Sequence, residues 1–116
     1  MFSEDADYLP FECTIEGNTV RVIGEIDLST AQNFKEALLT AVRDSGRAPT
    51  VDLSGVDYID SAGIQALVNV RGEDPDESNP IRIIGVRPHV MRIFRMVGLD
   101  SAFEIQGLGE SNIPFF

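Results

Sequence analysis

Positive charge is scarce in this sequence. Nine lysine and arginine residues face nineteen aspartates and glutamates, and Lys35 is the single lysine. The net charge of -10 repels nucleic-acid backbones and anionic lipid headgroups, so neither nucleic acid nor a membrane is an expected partner. Cysteine is scarcer still: Cys13 stands alone, which excludes an internal disulfide and suits a reducing compartment. Its setting between Phe11 and Ile15 reads as that of a small buried hydrophobe. No apolar run approaches the ~20 residues that a membrane-spanning helix needs. The stretch Met1–Asp7 carries Glu4, Asp5 and Asp7 where a secretory signal would carry cations, so a soluble cytoplasmic protein is expected. Internal repeats and low-complexity tracts are missing too.

What is present suffices for one domain. A chain of 116 residues that is 43% apolar can build a core, and a single domain is expected over 1–116. Its core should run from about 8 to 106, and 107–116 should be a mobile tail. Apolar and β-branched residues at 11–15 and 19–26 flank the turn signal Gly17-Asn18, which reads as a hairpin. Ser29 and Gln32 have the spacing of a capping box, and Ala31, Phe34, Leu38 and Val42 then recur at helical period until Ser45-Gly46. A short strand at 49–53 should turn at Ser54-Gly55, after which Ile64, Leu67 and Val68 make a second helical stripe. The acidic, proline-bearing stretch 72–80 reads as an exposed loop, and 81–84 as a strand. Pro88 suits a first helical turn, with Val90, Ile93, Phe94 and Val97 on one face and Gly98-Leu99 as the stop. A fifth strand is expected near 102–105. A hairpin followed by alternating helices and strands implies an α/β fold: a mixed sheet of four or five strands packed by α-helices.

Polar side chains gather between Asp52 and Gly63, where a strand gives way to a helix. Ser61 should sit at or beside the N-cap, where its hydroxyl could accept a backbone N–H and where the helix dipole would tolerate a phosphate. Read from these residues alone, Ser61 is first of all a plain cap, with Asp52 and Asp57 as turn residues, and the spacing by itself does not decide between the two readings. Other chemistries find less support. A nucleophile elbow needs glycine two residues before and after the serine; Gly63 fits, but Ile59 fills the other place and His89 is the single imidazole. Aspartyl phosphorylation needs a lysine beside the site, whereas Lys35 lies in the first helix. A metal at Asp52, Asp57 and Asp60 lacks histidine or cysteine support, and no Gly-x-x-x-x-Gly-Lys loop exists to cradle a nucleotide. Neither metal nor ATP is expected to bind the protein alone.

Three segments in register extend the reading. Gly24-Glu25-Ile26-Asp27 before a capped helix, Val51-Asp52-Leu53-Ser54-Gly55-Val56 leading to Ile59-Asp60-Ser61-Ala62-Gly63-Ile64, and Pro88-His89-Val90-Met91-Arg92-Ile93-Phe94 ending at Gly98-Leu99 resemble the signature segments of the anti-sigma factor antagonist family. Members of that family are single STAS domains. The resemblance implies that Ser61 accepts phosphate from a GHKL-type kinase that is also the anti-sigma factor, that a phosphatase reverses this, and that the chain is no enzyme itself. It implies a partner surface made of Asp27, Asp60, Ser61, Ala62 and Gly63. Asp27 would lie at the end of the second strand near the acceptor, although it also suits a turn residue before a helix. Asp60 would orient the loop. Ala62 departs from members with a second hydroxyl there and leaves Ser61 alone, while Gly63 would let the helix begin close to another backbone. Unphosphorylated, such a protein captures the anti-sigma factor and releases a sigma factor, a partner switch in transcription and stress responses. Solitary STAS domains also serve in stress-sensing assemblies and lipid-transport complexes, the alternative reading. The tail Ile113-Pro114-Phe115-Phe116 lies outside the family pattern.

Overall fold

The structure is a computed structural model and describes residues 11–73 and 80–109; the Met1–Asp7 stretch, most of the acidic loop and residues 110–116 lie outside them. At the Gly17-Asn18 turn, with Gly17 at φ +61°, β1 (Glu12–Glu16) folds back on β2 (Thr19–Ile26) as the sequence predicts. Then follow α1 (Ala31–Ser45), β3 (Thr50–Ile59), α2 (Ser61–Glu73), β4 (Arg82–Val86), α3 (Pro88–Met96) and β5 (Glu104–Gly107), with a 3-10 turn at Leu99–Ser101. The five strands lie in sequence order; β1 and β2 pair antiparallel and every later pair is parallel. This is the expected mixed α/β sheet, with the full five strands. Among the described residues no helix is long and apolar enough to cross a membrane.

Alternation along the strands builds one core. Val20, Val22 and Ile26 of β2, Val51, Leu53, Val56 and Ile59 of β3, and Ile83 and Val86 of β4 are buried together with Phe34 and Leu38 of α1, Leu67 of α2, and Val90 and Phe94 of α3. Each large side chain so buried contributes roughly 1.5–3 kcal/mol. The intervening residues carry charge instead: Arg21 pairs with Asp52 at 3.3 Å and Arg82 with Glu104 at 3.6 Å. No polar side chain among the described residues is buried. Cys13, paired with Val22, packs against the core partly buried, and that burial pushes its thiol up to about 11.

Several expectations need correction. Ser54-Gly55 is no chain reversal, for β3 continues to Ile59. Between the pairs Arg21↔Asp52 and Ile23↔Gly55, β2 advances two residues while β3 advances three; between Gly24↔Val56 and Glu25↔Tyr58 it advances one against two. These are β-bulges. Asp52 Oδ1 accepts the Ser54 N–H at 2.9 Å, the local bond a turn would also make, and a Cβ on Gly55 would lie 3.0 Å from Ile23 Cγ1 and 3.1 Å from the Val22 carbonyl oxygen. Ser29 and Gln32 form no capping box, because the backbone and hydroxyl of Ser29 turn back to Asp27 instead. On α2 the buried residues are Gly63, Ala66, Leu67 and Val70, while Ile64 and Val68 flank a groove of about 310 Å³ shared with Val97, Leu99 and Phe103. The buried face of α3 holds Met91 in place of Val97. Finally, β5 runs to Gly107, which is buried, and Leu108 donates to the Val86 carbonyl at 2.8 Å, so the first tail residues are tied to the sheet.

Candidate functional site

Parallel strands end at one edge, and this edge gathers the residues singled out from the sequence. Ile26 and Ile59 are register partners, and the Asp60 N–H donates to the Ile26 carbonyl at 3.1 Å. The two residues after each, Asp27-Leu28 and Asp60-Ser61, therefore emerge side by side. The bulges of β3 make this possible, since they bring Ile59 level with Ile26.

Asp60 precedes α2 and caps it: its Oδ1 accepts the Ala62 N–H at 2.9 Å, and its carbonyl accepts the Ile64 N–H at 3.1 Å. Ser61 is thus the first helical residue, beside the cap, and Asp60 supplies the capping oxygen that the sequence suggested for Ser61. Freed of that task, the exposed Ser61 hydroxyl makes no hydrogen bond to any described residue. It stands at a helix N-terminus, where backbone N–H groups and the dipole favour added negative charge. Ala62 behind it is half-buried.

Gly63 sets how near α2 comes to the sheet. A Cβ there would lie 2.6 Å from Ile26 Cγ2 and 2.7 Å from Ile59 Cγ1. The close neighbours are thus isoleucine side chains and not, as the sequence suggested, another backbone.

Asp27 follows β2 directly, and one oxygen of its carboxylate bonds within its own loop. Oδ1 accepts the Ser29 hydroxyl at 2.7 Å, the Ser29 N–H at 2.9 Å and the Thr30 N–H at 3.2 Å. The Asp27 N–H donates to Thr30 Oγ1 at 2.9 Å, and the Thr30 hydroxyl donates to the Glu25 carbonyl at 2.9 Å. The Ser29 hydroxyl above all, helped by the N–H groups of Ser29 and Thr30 against a smaller desolvation effect, holds the Asp27 carboxyl below its ordinary value. The same loop carries Leu28, 83% exposed, which the sequence reading passed over because a lone leucine in a turn has no distinguishing pattern. Asp57 and Tyr58, just before the site, are also exposed. Cations are missing from both segments: no lysine or arginine occurs between 22 and 34 or between 48 and 70. No three histidine, cysteine or acidic residues among those described stand close enough to hold a metal ion.

Comparison with known proteins decides the family. The family model described as "Mlab, STAS domain" matches residues 12–108. The anti-sigma-B factor antagonist of Listeria monocytogenes is 33% identical over 92 residues, 78% of this chain and 81% of that protein. The chain belongs to the STAS family of anti-sigma factor antagonists. Its fold agrees with solved members. The crystal structure of an anti-sigma factor antagonist from Mycobacterium paratuberculosis superposes on this STAS domain with a TM-score of 0.69, at 27% identity and over 86% of each chain. The anti-sigma factor antagonist SpoIIAA, solved in its unphosphorylated form, shares the fold at a TM-score of 0.56 and 15% identity, over 83% of this chain and 86% of its own. SpoIIAA has also been solved in its phosphorylated form.

Proposed function

We propose that this STAS domain is an anti-sigma factor antagonist switched by phosphorylation of Ser61. Unphosphorylated, it binds a cytoplasmic anti-sigma factor that is also a GHKL-type serine kinase, and a sigma factor is released. The kinase transfers the γ-phosphoryl group of ATP to the Ser61 oxygen; ADP leaves, the hydroxyl proton passes to the kinase, and the antagonist lets go until a phosphatase restores the serine. The chain's own part is to present the hydroxyl.

The observation that carries this reading is the Ser61 hydroxyl itself, exposed, unbonded to any described residue and placed at the start of α2 because Asp60 takes the capping role. A phosphate there adds about -1.5 to -2 charges. The helix N-terminus stabilises that charge in the free domain, so the fold survives. Against a partner surface shaped for a neutral hydroxyl the same charge must be desolvated, and a penalty of about 2.7 kcal/mol weakens binding about a hundredfold. The names of the curated relatives, and the two forms of SpoIIAA, support the reading.

Recovering the kinase on the immobilised chain and titrating the purified pair tests it. Ser61→Ala is expected to bind like the parent and Ser61→Asp about a hundredfold more weakly; equal binding by Ser61→Asp contradicts the switch. A second reading, a solitary STAS subunit of another assembly, has in its favour that the matching family model carries the description Mlab. Recovery of such an assembly, with no kinase among its members, would favour it.

A further inference from the structure

We infer that Leu28 is the apolar anchor by which this domain docks on its anti-sigma factor, and that Asp27 acts as a positioning residue for Leu28; this rests on the function proposed above. Single exposed leucines are ordinary on protein surfaces. Two observations set this one apart. The first is its mounting. Leu28 is 83% exposed, yet it stands in a loop pinned on both sides, by the Asp27 carboxylate to Ser29 and Thr30 and by Thr30 to Asp27 and Glu25. An apolar side chain held in water by a stiff loop has its ordering cost met before any partner arrives, which is the arrangement that favours affinity. The Asp27 Oδ1 accepts three hydrogen bonds from its own loop, which leaves that oxygen little capacity for a partner.

The second observation is its place. Leu28 follows Asp27 off β2, as Ser61 follows Asp60 off β3, and the two strands end level at Ile26 and Ile59. A partner that covers Ser61 meets Leu28 in the loop after the adjoining strand. The two segments carry Glu25, Asp27, Asp57 and Asp60 and no lysine or arginine. Charge complementarity then defines the occupant: the anti-sigma factor presents an apolar pocket for Leu28 with a cationic rim. The sequence between the strand end and the helix would thereby choose the partner while Ser61 sets the state of the switch.

Calorimetric titration of the purified GHKL-type kinase into the parent, Leu28→Ala, Leu28→Met, Asp27→Asn and the Asp27→Asn/Leu28→Ala double variant tests this. Leu28→Ala should weaken binding about tenfold to a hundredfold, because a leucine loses its buried place. Leu28→Met should recover most of the affinity, and thermal melting of Leu28→Ala should match the parent because the side chain is exposed in the free domain. If Asp27 acts through Leu28, the double variant binds no more weakly than Leu28→Ala alone. Parent-like binding by Leu28→Ala while Ser61→Asp remains weakened overturns the inference and leaves the switch standing. Additive losses in the double variant overturn the role given to Asp27. Failure of the parent to bind, or parent-like binding by Ser61→Asp, overturns the proposed function and this inference with it.

Discussion

Gly63 shows how one missing methyl positions a functional group. With a Cβ 2.6 Å from Ile26 Cγ2 and 2.7 Å from Ile59 Cγ1, the first turn of α2 would have to lift away from two fully packed isoleucines. Overpacking of this kind costs about 1–3 kcal/mol, and alanine's better helix propensity returns about 1 kcal/mol at most. Gly63→Ala is therefore expected to lower unfolding stability by roughly 1–2 kcal/mol in urea titration and to displace Ser61 with the helix. Unchanged stability would mean that α2 sits less tightly than described. The importance of Gly63 was readable from the sequence, but its reason was not, because Ile26 and Ile59 meet it from two different strands. Ser61 was legible as a residue at a helix start, since a polar cluster before an apolar stripe is a local signal. The neighbourhood of Asp27 and Asp60 followed from the family resemblance, and the pairing of Ile26 with Ile59 supplies its physical reason. Leu28 left no trace at all, because exposure is a property of the fold and not of the residue.

Elements were legible where their signal is local. The Gly17-Asn18 hairpin, the stop of α1 at Gly46 with φ +74° and the end of α3 at Gly98 with φ +77° all follow from glycine's freedom in the left-handed region. The Ser54-Gly55 turn failed for an instructive reason. An Asp52 side chain bonded to the Ser54 N–H, followed by glycine, is common to a turn and a bulge, and only the register against β2 tells them apart. On the inward face of α2, Leu67 is buried and Ile64 packs against the core as expected, whereas Val68 is exposed beside the groove and the small Gly63 and Ala66 complete the packing. The cap of that helix gives a second prediction. Asp60→Ala removes the oxygen that holds the Ala62 N–H at 2.9 Å and should cost about 1 kcal/mol, whereas Asp60→Asn should retain most of the stability. Chemical denaturation of both variants checks this, and equal losses in the two would assign the effect to charge and not to the cap.

Across the whole molecule the acidic excess is visible at once in the sequence, and the structure shows how part of it is held. Asp27 and Asp52 both titrate below their ordinary range. For Asp52 the largest effect is desolvation, which pushes upward, but hydrogen bonds from Ser54 and the nearby Arg21 together outweigh it. A carboxyl depressed in the folded state adds stability above its unfolded value of 3.8, and this is lost as pH falls through the folded value. Stability measured at physiological salt should be level from about pH 7 to 5 and fall below about pH 4, with a shallower fall in Asp27→Asn. An equally steep fall in that variant would show that Asp27 has no part in it. The domain as a whole offers a stable platform whose strand ends carry the exposed Ser61 hydroxyl among carboxylates. The most direct test of the proposed switch is mass spectrometry of the full chain after incubation with its purified kinase and ATP. A single phosphate on Ser61, absent from Ser61→Ala, is the predicted result; phosphate on Thr30 or Ser54, or none on a chain that binds the kinase, would contradict it.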